Sequence, residues 1–154
     1  MNVSDYVARI GNAKPVGLVS ITYELILAHV EDARNKFHDE SEFTRHVKLS
    51  IELLGTLIDA LNMDYELSRT LFPLYIYINK LLINAKLTGK TEPLEDVRRI
   101  LMPLYTGWQA LAETEDGDTE SAMEHSQKIF AGLTYGRGEL NEYIQEDENR
   151  SYSI

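Results

Sequence analysis

Hydrophobic positions recur every three or four residues through most of the first 112 residues of this chain, the spacing of one buried helix face. From Pro15, a residue suited to a first helical turn, the positions Leu18, Ile21, Leu25 and Ala28 follow that step, with Val19, Ile26 and Val30 broadening the face. This predicts a helix over 15–37. A second is predicted over 41–62, with Ser41 as its N-cap and Glu42 in the first turn. Its main face is Phe43, Val47, Ile51, Leu54, Ile58 and Leu61, and a second stripe follows Leu49, Leu53, Thr56 and Ala60. Gly55 weakens a helix interior by about 1 kcal/mol against Ala, so close packing is expected there.

A third helix is predicted over 64–87, with Leu67, Leu71, Leu74, Tyr75, Ile78, Leu82 and Ala85 on its main face. Phe72, Ile76 and Ile83 form a second stripe that includes Asn79. Tyr and Ile between Leu74 and Ile78 suit a strand, but the helical pattern continues through Leu87 and no partner strand is in sight. Pro73 should kink or start this helix, and Gly89 should cap it. Thr91-Glu92-Pro93 opens a fourth helix with the seam Leu94, Val97, Leu101, Leu104, Trp108 and Leu111, bent at Pro103. Residues 1–13 read as a mixed lead-in. Short connections make neighbouring helices antiparallel. The expected fold is all-α: an up-and-down four-helix bundle within residues 1–112, followed by an extension over 113–154 with a short helix near 119–130 and a mobile tail.

Charge divides the chain in the same place. Of the formal net charge of -10, residues 113–154 contribute -8 and residues 1–112 only -2. Neither part offers the basic face that binding to nucleic acid requires. With no cysteine, disulfides and thiolate chemistry are excluded. The N-terminus lacks the basic and apolar regions of a secretory signal, and no stretch has the length of a membrane span. The expected location is the cytoplasm.

Candidate chemistry is sparse. A di-iron bundle needs Glu-x-x-His on two helices, and no Glu here has His three residues on. The histidines, His29, His38, His46 and His125, offer no pair spaced to ligate from one helix turn. No metal, cofactor or enzymatic role is expected. His46-Val47-Lys48 is a poor likeness of a histidine phosphotransfer site, because the Lys falls too early and no Gly follows; a half-exposed histidine beside the seam is the plainer reading. What stands out is surplus apolar surface. A packed helix needs one stripe, and the helices over 41–62 and 64–87 each show about two. A buried helix, a homodimer or a groove for a foreign peptide would each account for it.

Three segments resemble the flagellar secretion chaperone family FliS. Ala13-Lys14-Pro15 with Leu18 and Tyr23 is similar to the family's entry into its first helix. Leu71-x-x-Leu74-Tyr75-x-Tyr77 with Leu81 and Ala85 resembles its Leu-Tyr-Asp-Tyr helix, with Ile76 in place of the Asp. Trp108 stands where the family has its tryptophan. The Gly pair usual before the third helix is replaced by Asp64-Tyr65-Glu66, and Lys86 stands where Asn follows the helix alanine. The resemblance covers about residues 6–111. It implies an export chaperone that binds the disordered C-terminal region of flagellin, with the export apparatus as a further partner; the surplus apolar surface separately allows a homodimer when unliganded. On this reading Tyr6, Tyr23, Leu49, Leu53, Phe72, Tyr75, Ile76, Tyr77 and Ile83 contribute to a partner groove, and the lead-in with Tyr6 acts as its lid. The other class of function is a self-associating helical adaptor.

Overall fold

The computed structural model describes residues 3–114. The helix and tail expected beyond lie outside the described residues. Those residues are all-α, with five helices and no strand. They are α1 (Val3–Asn12), α2 (Pro15–Asn35), α3 (Glu40–Asp59), α4 (Glu66–Thr88) and α5 (Glu92–Ala112). Each of α2 to α5 packs on its neighbour in sequence, and α5 returns to α2, so these four close a ring around one core. The helix α1 packs on α2, outside the ring.

The lead-in therefore corrects the sequence reading: it is a helix. Val3, Tyr6, Val7 and Ile10 follow a helical step, but no residue of α1 is buried. At ten residues a helix draws little stability from its own hydrogen bonds. Its tie to α2 is an ion pair between Arg9 and Glu24 at 2.6 Å, with the Arg9 guanidinium 5.2 Å from the Tyr6 ring centre.

Within the ring, α2 begins at Pro15 as expected, because its first turn needs no N–H there. The N-cap of α3 is Asp39 rather than Ser41. Its carboxylate accepts a hydrogen bond from the Glu42 N–H at 3.2 Å, two residues earlier than the sequence suggested. Gly89 ends α4 in the left-handed conformation, φ 69°, and its N–H bonds the Ala85 carbonyl at 2.9 Å. Pro73 and Pro103 both lie inside their helices and start neither. Pro73 faces solvent, where water can serve the carbonyl its ring leaves unpaired. A Cβ at Gly55 would meet no atom within 4 Å, so close packing does not explain that glycine.

The whole expected main face of α4 is buried, as is the seam of α5. Each large side chain hidden this way contributes about 1.5–3 kcal/mol. On α3 the buried face is turned from the expected one. Phe43, Val47 and Leu54 are buried with His46, Ser50 and Leu57, while Ile51, Ile58 and Leu61 are half-buried at its edge.

Candidate functional site

The nine residues singled out from the sequence fall into four places. Tyr23, Tyr75 and Tyr77 are buried in the core. Phe72, Ile76 and Ile83 stand on the outer side of α4. Leu49 and Leu53 are half-buried on α3, and Tyr6 is half-buried on α1.

Tyr23 of α2 and Tyr75 of α4 meet hydroxyl to hydroxyl at 2.5 Å in the core. The Trp108 ring of α5 stacks on Tyr23, with centroids 6.4 Å apart. Three helices of the ring thus meet at one buried aromatic cluster. Burial, reinforced by Tyr75, pushes the Tyr23 phenol well above its ordinary pKa, and burial raises Tyr75 too. Both stay protonated and serve as hydrogen-bonding groups, with no tendency to act as bases. A cavity of about 190 Å³ lies alongside, lined by Val19, Leu57, Ser68, Leu71, Tyr75 and Trp108 among others.

The outer side of α4 is different in kind. Phe72, Ile76, Asn79 and Ile83 are spaced i, i+4, i+7 and i+11, a single stripe. Phe72 and Ile83 are 39% and 38% exposed, and Leu87 continues the line at 77%. Because α1 packs on α2, the expected lid is held by α2 rather than by this stripe.

Leu49 and Leu53 do not join it. They follow His46 at i+3 and i+7, and His46 faces α2: its Nδ1 lies 2.9 Å from Nδ1 of His29. One turn earlier Glu42 pairs at 3.6 Å with Lys36, the residue that caps the C-terminus of α2. That edge of α3 therefore looks toward α2. The ring of His46 is buried, which removes the exposed acceptor that a phosphotransfer reading needs and corrects the expectation of a half-exposed side chain. The meeting of His29 and His46 was not anticipated, because single-helix spacing cannot show a pair contributed by two helices.

Burial, followed by the nearby His46, holds the His29 imidazole below its ordinary pKa, and Arg45 acts in the same direction while Asp32 opposes it. Among the described residues no helix is long and apolar enough to cross a membrane.

A family model described as flagellar protein FliS matches residues 4–115. That span takes in α1, the whole ring, the buried tyrosine pair and the α4 stripe. The search of curated proteins returns no match.

Proposed function

The chain belongs to the FliS family of flagellar proteins, and from that membership we propose that it is a cytoplasmic export chaperone for the disordered C-terminal region of flagellin. The observation that carries the reading to a surface is the stripe on α4 formed by the exposed Phe72 and Ile83 with the half-buried Ile76 between them. A disordered segment folding as an amphipathic helix can lay its apolar side along such a stripe. Covering that side blocks premature polymerisation and keeps the client unfolded for export. Ordering the client offsets part of the contact energy, so affinity stays moderate and release at the export apparatus remains feasible.

On this proposal α2 to α5 act as an antiparallel up-and-down four-helix bundle that holds the stripe rigid, with the acidic segment over 113–154 as a separate extension. Tyr23, Tyr75 and Tyr77 act from within, by fixing the helices. Phe72, Ile76 and Ile83 make contact directly, with Leu49, Leu53 and Tyr6 at further edges. No enzymatic step is assigned.

The test is calorimetry of the full chain against the C-terminal roughly 50 residues of flagellin from the same source, prepared as a disordered peptide. The expected result is one-to-one binding with a negative heat-capacity change and new peptide helicity. Ile76→Asp with Ile83→Asp should abolish that heat while the far-ultraviolet spectrum stays helical. If the unsubstituted, folded chain gives neither heat nor co-migration, the proposal fails. A homodimer that buries the stripe would then become the working reading.

A further inference from the structure

Two imidazoles and a carboxylate converge where α2 meets the first half of α3. His29 and Asp32 stand one helical turn apart on α2, and His46 faces them from α3. The facing Nδ1 atoms of the histidines are 2.9 Å apart. Asp32 Oδ2 lies 4.0 Å from Nδ1 of His46. One donor atom from each residue falls within 4.8 Å of the others. The side chain of His46 is only 5% exposed, whereas that of Asp32 is 45% exposed. The cluster is therefore closed toward the core and open to water at Asp32.

The second nitrogens matter as much. Nε2 of His46 lies 3.5 Å from a carboxylate oxygen of Glu42, and Arg45 holds Glu42 below its ordinary pKa. Glu42 is therefore anionic. An anionic acceptor favours the proton on Nε2 and frees Nδ1 as a lone pair, the outer partner that metal-bound histidines commonly have. Without an ion, Nε2 instead accepts a hydrogen bond from the guanidinium of Arg45 at 3.2 Å, so metal binding requires Nε2 to take up the ring proton and to release Arg45. Arg45 is exposed and already paired with Glu42 at 2.9 Å, so it can yield that position. Lys36 is engaged by Glu42 as well.

We propose that His29, Asp32 and His46 form a binding site for one zinc-class divalent ion, which staples α2 to α3. Imidazole with carboxylate suits Zn²⁺ and its neighbours, whereas Mg²⁺ and Ca²⁺ prefer all-oxygen shells. At metal–nitrogen distances of about 2.0–2.1 Å, a tetrahedral ion holds two nitrogens about 3.3 Å apart. The present pair needs to open by only a few tenths of an ångström. Asp32 reaches in from the solvent side by a rotamer change, and water completes the shell. The ion takes the place of the hydrogen between the rings, which moves to an outer ring nitrogen, and binding weakens at low pH, where protons compete for the same lone pairs.

The experiment uses the full chain after chelation and dialysis, titrated calorimetrically with Zn²⁺, and with Co²⁺ followed by visible absorption. The expected result is one ion per chain at micromolar affinity, a thermal midpoint that rises with Zn²⁺, and no competition from millimolar Mg²⁺. Since His46 is buried and its replacement can unfold the chain, the variants are His29→Ala and Asp32→Asn. Each should weaken binding at least about tenfold, and His38→Ala should leave it intact. Failure of the unsubstituted chain to bind below millimolar Zn²⁺ overturns the proposal. So does undiminished binding in His29→Ala, which would locate the ion elsewhere, or equal competition by Mg²⁺.

Discussion

The tyrosine contact in the core and the histidine contact at its edge both join helices, and they differ in what they ask of the solvent. The Tyr23–Tyr75 bond links α2 and α4, with Trp108 of α5 stacked against it, through groups that stay protonated across the physiological range. The His29–His46 pair links α2 and α3 through imidazoles, and burial holds that of His29 below its ordinary pKa. One contact is indifferent to pH and the other is conditional. The core can therefore hold its shape while one seam of it responds to protons, or to an ion that takes their place.

The largest test of this contrast is in the tyrosine pair. Tyr23→Phe leaves the buried Tyr75 hydroxyl without its partner, and should cost about 1–3 kcal/mol in urea unfolding. The cost should be the same at pH 6 and pH 8. Tyr75→Phe should cost a similar amount, because each hydroxyl is the other's partner, and the double variant should fall short of the sum. Additive losses would mean that the hydroxyls act independently.

The histidine seam should show the opposite profile. The pKa of His29 in the fold lies below its unfolded value, so folding favours the neutral ring. That contribution is fully present above the unfolded value of about 6.5 and is lost as pH falls through the lower folded value. Urea midpoints measured between pH 7.5 and pH 5 should decline, and His29→Gln should flatten the decline attributable to this site. An unchanged slope would place the titration elsewhere.

The smallest effect should come from the exposed counterpart. Arg9→Ala breaks the ion pair to Glu24 at the surface and should cost less than about 1 kcal/mol globally. Hydrogen exchange should nevertheless speed up across α1 while the ring amides stay protected. Equal loss in the ring would show that α1 is part of the core.

Much of this was legible in the sequence where periodicity alone decides. The α4 face from Leu67 to Ala85 lies buried as its spacing foretold, and Gly89 caps the helix because only a glycine takes φ 69° there without strain. The α3 face was misjudged because hydropathy ranks Ile51 and Ile58 above His46 and Ser50. His46 finds its partner on α2, and Ser50 bonds the His46 carbonyl at 3.0 Å. Both satisfactions are tertiary or backbone matters that no apolar count reveals. The helix α1 was missed although its step is readable, since a ten-residue stretch containing Gly11 looks too weak to stand alone. For the candidate surface, the α4 stripe was found from spacing. Three of the nine residues turned out to be internal. Tyr23 and Tyr75, like Trp108, carry the resemblance to the family and build the scaffold, so a signature can mark what shapes a surface as readily as the surface itself.

Trp108 is the one tryptophan in the chain, and it is seated against Tyr23 where three helices meet. That placement makes it a built-in optical gauge. Light absorbed by the neighbouring tyrosines can pass to it by resonance transfer over this short range, and its emission colour reports whether the joint is dry. Closure of the ring can thus be followed in real time without attaching a dye.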